Sequence, residues 1–193
     1  MKTLIFNGSP KKNGDTVALL NILKTEIDGK INQIDTYFCN IKPCVDCRYC
    51  WEHPSCSIKD EMQNVFSLID KADNIVIASP IYFSELSGSL LSALSRLQYL
   101  YVSKHFRNDN ILTKKKRNGI IILSGGGDGS PKKAEDTATC LLHHMGAEVI
   151  GTVCSHDTNS VSAKDDKRAV AEIKAIAERI LRNEPNIKVE DIK

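Results

Sequence analysis

Short apolar runs alternate along the chain with stretches in which apolar residues recur at helical spacing. The runs predict strands over residues 3–7, 31–38, 74–79, 119–124 and 148–153. Ile75-Val76-Ile77-Ala78 and Ile120-Ile121-Ile122-Leu123 are continuous and largely β-branched, the pattern of parallel strands covered on both faces. Between the runs, apolar stripes predict helices. Leu20, Leu23 and Ile27 form the first; Met62, Val65, Phe66 and Ile69 the second; Leu86, Leu90, Leu94, Leu97 and Tyr101 the third. Leu141, Leu142 and Met145 lie in a fourth that Gly146 ends, and Ala169, Ile173, Ile176 and Ile180 make the last. Strands and helices in this alternation imply an α/β fold, a parallel five-stranded sheet between two helical layers. In such a fold ligands sit at the carboxyl ends of the strands, near the switch in strand order. The loops after the first, third and fourth strands are therefore the places to look for chemistry.

Length and charge narrow the picture. A chain of 193 residues suits one domain, read here as 1–193, with a polar tail from about Asn183 that the composition leaves loosely ordered. A net charge of +2 gives no nucleic-acid footprint. The N-terminal apolar run is too short for a signal peptide, and no apolar segment reaches the roughly 20 residues that span a bilayer. The expectation is a cytoplasmic protein with no membrane or nucleic-acid partner.

The first of the three loops, Asn7-Gly8-Ser9-Pro10-Lys11-Lys12-Asn13-Gly14-Asp15-Thr16, feeds a helix N-terminus. Free amides and the helix dipole favour a phosphate there, with Ser9 and Thr16 as hydroxyl donors and Lys11 or Lys12 offsetting charge. No Gly-Lys-Ser/Thr closes a Walker loop and no GxGxxG is present. The alternative is a plain turn with Asp15 as N-cap. After the third strand, Pro80 stiffens the backbone while Tyr82 and Phe83 offer flat apolar surface, either for a ligand or as a cover for the sheet. After the fourth, Ser124-Gly125-Gly126-Gly127 permits close backbone approach to a ligand, or marks a mobile loop.

Seven cysteines is an odd count, and Cys44, Cys47, Cys50 and Cys56 crowd into a C-x2-C-x2-C-x5-C segment. Such crowding argues against a disulfide framework and for metal binding or redox work. The opening matches the ferredoxin run but the final gap differs. Zinc, which usually draws on two separated ligand pairs, is the competing metal, and bare thiols remain open. Cys140 and Cys154 read as small core residues. His143 and His144 read as solvent-facing or as capping a helix end, and the basic run 114–117 as a solvated loop or a contact for an NADPH 2′-phosphate or an acidic redox partner.

Strand-Asn-Gly-Ser-Pro-(basic)-x-Asn-Gly-x-Thr resembles the FMN-phosphate loop of the flavodoxin-like NADPH-dependent FMN reductase family, including its iron–sulfur flavoprotein branch. The likeness extends through Ser79-Pro80-Ile81-Tyr82-Phe83 and the Gly-rich turn at 124–130, covering about residues 2–155. It departs at Asp15, where the family usually carries Asn, and at Asp46, where the branch commonly has Gly.

The resemblance implies a flavodoxin-like three-layer sandwich and an FMN-dependent oxidoreductase. FMN would rest on Ser9, Lys11, Asn13, Asp15, Thr16, Pro80, Ile81, Tyr82, Phe83, Ser84, Ser124, Gly125 and Gly126. The compact cysteine pattern implies a [4Fe–4S] cluster on Cys44, Cys47, Cys50 and Cys56. The implied donor is NAD(P)H or a ferredoxin-like protein, the acceptor a small molecule, and the assembly a homodimer or homotetramer. The alternatives are a non-enzymatic flavin electron carrier and a flavin-free fold with a structural four-cysteine zinc site.

Overall fold

A computed structural model describes residues 1–182; the tail predicted from Asn183 lies outside the described residues. Strands β1 (Lys2–Asn7), β2 (Lys30–Asp35), β3 (Asn74–Pro80), β4 (Arg117–Ser124) and β5 (Ala147–Ser155) form one sheet, all parallel, in the order β2-β1-β3-β4-β5. The connecting helices are α1 (Asp15–Glu26), α2 (Tyr49–Glu52), α3 (Met62–Lys71), α4 (Gly88–Leu94), α5 (Gln98–His105) and α6 (Lys132–His144), and α7 (Lys167–Arg182) follows β5. Among the described residues no helix is long and apolar enough to cross a membrane.

Successive strand residues face opposite sides, and the core divides accordingly. Leu4, Phe6, Ile75, Ile77, Ile121 and Leu123 pack one face against α3, α4, α5 and α6. Ile5, Val76, Ala78, Ile120 and Ile122 pack the other against Leu19 and Leu23 of α1 and Ile173 and Ala177 of α7. Burial on both faces accounts for the unbroken apolar runs of β3 and β4.

The strand order reverses between β1 and β3, which places the switch crevice between the loops that follow them. At that crevice Gly8 passes close under α4. A Cβ there would stand 2.6 Å from Ser87 Oγ and 3.1 Å from Leu90 Cβ, so only glycine fits. Gly146, at φ +71, ends α6 as the pattern predicts.

Several sequence expectations are corrected. Strand β2 stops at Asp35 instead of 38, because Phe38 and Cys39 return their amides to the Asp35 carbonyl in a turn. The third stripe is two helices separated by a 3-10 turn, Ser95–Leu97. The tighter winding advances the phase, so Tyr99, Leu100 and Val102 are buried and Tyr101 faces outward. Cys140 is exposed on α6, whose inward face is Ala134, Ala138 and Leu142, while Cys154 is half-buried. Burial pushes the Cys154 thiol up to about 11.

In the basic run Lys114 and Lys116 are exposed as a solvated loop should be, while Lys115 and Arg117 differ from expectation. Arg117 is buried at the start of β4, donating to Asp70 and to the Ile69 carbonyl, and Lys115 pairs with Asp73 at 2.8 Å. Both residues lie at the amino end of the sheet, away from the edge where ligands sit, and are occupied by internal ion pairs.

Candidate functional site

The loop after β1 is held by its own side chains. Asn7 Oδ1 accepts from the Ser9 amide, and Ser9 Oγ accepts from the Lys11 amide at 3.2 Å and donates to the Lys11 carbonyl at 3.0 Å. This Asx and Ser turn leaves Lys11, Lys12 and Asn13 exposed beside the helix start. Gly14, not Asp15, is the N-cap of α1, and no side chain caps it. The amides of Asp15, Thr16 and Val17 have no acceptor within the helix.

The Asp15 carboxylate turns away from those amides. Its Oδ1 accepts from the Ala163 amide at 2.8 Å and from Ser162 Oγ at 3.2 Å, in the segment that precedes α7. The acidic side chain at this position is thereby committed to the fold, and the uncapped helix end is left for an anion.

The other two loops close on the same edge. The Thr16 and Ser124 hydroxyls are 2.7 Å apart and both buried. The Ile81 amide donates to the Ser124 carbonyl at 2.8 Å, and the Gly125 amide to that of Ser155 at 2.9 Å. Asn159 Nδ2 donates to the Gly126 carbonyl at 2.7 Å, a contact no sequence pattern announces.

Beyond Pro80, Tyr82 and Glu85 exchange backbone hydrogen bonds of 2.9 and 3.0 Å across Phe83 and Ser84, which sit at φ 52 and 62. Positive φ at both central residues makes a type I′ turn, here without glycine or asparagine. A bulky aromatic in that region is strained, and Phe83 is fully exposed there. Tyr82 is half-exposed beside it, and burial raises its phenol above the usual value.

The four cysteines of the 44–56 segment line one cavity, together with Trp51, Arg96, Gln98 and Tyr99. Among the described residues no three Cys, His, Asp or Glu side chains stand close enough to hold a metal ion. The donor set nevertheless suits a four-thiolate group. Cys47 is exposed and its thiol is pulled down by the hydrogen bond it shares with Ser57; the Cys50 thiol is pushed up by burial and by Cys56 beside it. Asp46 and Arg48 have φ 47 and 56. Asp is one of the few residues that tolerates that region, which explains how it replaces the Gly common in the branch.

Sequence reading missed the residues beneath this segment. Arg96 from the 3-10 turn, Tyr99 from α5 and Arg107 just after it all donate into the loop. Arg96 reaches Cys56 Sγ, Tyr99 Oη bonds the Pro54 carbonyl at 2.9 Å, and Arg107 Nη1 bonds the Cys50 carbonyl. The change of phase at residues 95–97 hides Arg96 from a helical stripe.

An iron–sulfur flavoprotein of Methanocaldococcus jannaschii is 29% identical over 113 residues, 56% of this chain and 58% of that protein. The matched stretch thus spans little more than half of that relative's length. An iron–sulfur flavoprotein of Archaeoglobus fulgidus is 27% identical over 201 residues, covering 94% of each chain. The fold matches an NAD(P)H:quinone oxidoreductase from Methanothermobacter marburgensis with a TM-score of 0.68 at 11% identity, over 97% of this chain and 98% of that one. The model of the NADPH-dependent FMN reductase family matches residues 1–160, across β1 to β5 and all three loops at the carboxyl edge, and the chain belongs to that family.

Proposed function

We propose that this chain is an FMN-dependent oxidoreductase that takes reducing equivalents from NAD(P)H and delivers them to a small-molecule acceptor. In this reading Cys44, Cys47, Cys50 and Cys56 hold a [4Fe–4S] cluster that exchanges single electrons with a ferredoxin-like partner. The observation that carries the reading is the uncapped N-terminus of α1, tied by the Thr16–Ser124 contact to the two other loops of the carboxyl edge. FMN, when bound, supplies the hydride and electron chemistry.

The chain's own residues bind and orient it. The first-turn amides of α1 and the Thr16 hydroxyl serve the phosphate, Ser9 shapes the loop around it through its bonds to Lys11, and Lys11 and Asn13 stand at its outer side. Asp15 contributes by holding the 162–163 segment rather than by touching the phosphate. The main chain of Pro80, Ile81 and Ser84, the rings of Tyr82 and Phe83, and the backbone of Ser124, Gly125 and Gly126 enclose the ring and exclude water. Seven free cysteines suit a reducing cytoplasm. Phe83 and Phe38, both exposed, give a second copy a surface to cover in a homodimer or homotetramer.

Anaerobic steady-state turnover with NADPH and an artificial acceptor tests the enzyme reading, with iron, sulfide and zinc assayed on the same sample. Turnover with iron and sulfide near four per chain supports the full proposal. A flavin-loaded protein without turnover is an electron carrier instead, and a colourless protein with stoichiometric zinc overturns the proposal.

A further inference from the structure

Arg96 is 1% exposed, as is fitting for a hydrophobic residue and unusual for a cation. Its Nη1 donates to Asp60 Oδ2 at 2.7 Å and to the Lys42 carbonyl at 3.0 Å; its Nη2 donates to the Ile58 carbonyl at 3.1 Å and to Cys56 Sγ at 3.3 Å. Lys42 and Ile58 flank the segment that runs from Cys44 to Cys56. One guanidinium therefore ties both ends of the cysteine segment together and reaches one of its thiols. Arg96 Nε is buried with no hydrogen-bond partner, and the residue lines the same cavity as the four cysteines.

A structural ion pair accounts for Arg96 and Asp60, since the Asp60 side chain is 2% exposed. It does not account for the reach of Nη2 to Cys56 Sγ. Four thiolates around an iron–sulfur core leave net negative charge that grows on one-electron reduction. Hydrogen bonds to sulfur and local charge are the levers by which a protein sets the potential of such a group. The planar fork of Arg serves several acceptors at once, which a lysine ammonium on its flexible stem does not.

We propose that Arg96 is the positioning residue of the cysteine site: it closes the 42–58 loop and donates to Cys56, and so both favours loading of an anionic iron–sulfur cluster and raises its reduction potential. The inference rests on the cluster reading above. Of the seven cysteines it singles out Cys56 as the thiolate whose charge Arg96 shares.

The test is anaerobic reconstitution of the full chain with ferrous iron and sulfide, comparing wild type with Arg96→Met and Arg96→Lys. Iron, sulfide and FMN per chain, far-UV circular dichroism and a redox titration of the cluster are read for each. Arg96→Met is expected to lose most of its iron and sulfide while keeping FMN and helical signal. Arg96→Lys is expected to load, with a cluster potential below that of wild type. Wild-type load and potential in Arg96→Met overturn the assignment. Should Arg96→Met fail to fold, wild-type load and potential in Arg96→Lys overturn it equally. A wild-type chain that takes up no iron and sulfide overturns the cluster reading itself, and this inference with it.

Discussion

The side-chain oxygens of Thr16 and Ser124 lie 2.7 Å apart, both buried, and join the first turn of α1 to the last residue of β4 across 108 positions of sequence. A buried hydroxyl that loses its partner keeps its desolvation cost. Thr16→Val or Ser124→Ala should each destabilise the fold by about 1–2 kcal/mol, whereas the double substitution removes both polar groups and should cost less than the sum. Urea unfolding of the three variants measures the coupling. An additive result would mean that the two hydroxyls act independently.

Asp15 ties the helix start to the segment that precedes α7. Asp15→Ala removes the acceptor for the Ala163 amide and Ser162 hydroxyl, and should cost about 1–2 kcal/mol of stability. Asp15→Asn keeps an acceptor oxygen and should stay within about 1 kcal/mol of wild type. Because it also removes a negative charge beside the helix end, it should bind FMN at least as tightly. Thermal melts with flavin titrations on both variants check the pair of outcomes.

The type I′ turn at Phe83 and Ser84 stores strain at the site. Replacing the pair by Asn-Gly, the sequence such a turn prefers, should stabilise the fold by about 1 kcal/mol or more. The same change removes the exposed ring and should lower flavin affinity and NADPH turnover. A stabilised variant with unaltered flavin affinity would remove Phe83 from the site.

Acid stability follows from carboxylates committed to the fold. Burial works against ionisation of Asp60, but the Lys42 amide and the Arg96 guanidinium outweigh it and hold the carboxyl below its usual range. Asp70 behaves likewise, with the Thr113 amide and hydroxyl and Arg117 overcoming burial, and Asp166 is held down by the Ala169 amide and the Ser155 hydroxyl against the same burial. A carboxyl depressed in the folded state binds protons more readily when unfolded. Its contribution is therefore full above about pH 4 and is lost as pH falls through the folded value. Urea midpoints should hold from neutral to about pH 5 and drop steeply below about pH 4. Asp70→Asn should be less stable than wild type at neutral pH, and the gap should narrow toward pH 3.

Much of this was legible in the sequence, for reasons specific to the elements. Strands buried on both faces have no polar alternation, so β3 and β4 stand out as Ile75–Ala78 and Ile120–Leu123, and the stripe of α3 matches its buried face at Met62, Val65, Phe66 and Ile69. The order and composition of the three edge loops single out the edge at which the candidate site lies. What the sequence does not carry is the long-range partner of a polar side chain. Asp15 finds Ala163, Gly126 finds Asn159, and Arg96 finds Lys42 and Ile58 only once the chain is folded. The 3-10 turn at 95–97 is hidden for a local reason: helical periodicity assumes one winding, and a single tighter turn rotates every residue after it.

The phosphate placement at the head of α1 is the claim on which the rest depends, and riboflavin, which differs from FMN in lacking the phosphate, tests it directly. Apoprotein should be titrated with each flavin by fluorescence quenching, in wild type and in the Ser9→Ala/Thr16→Ala variant. Wild type should favour FMN by at least about tenfold, or about 1.4 kcal/mol, and the double variant should lose most of that preference. Equal affinity of wild type for the two flavins would contradict a phosphate bound at the amides of Asp15, Thr16 and Val17.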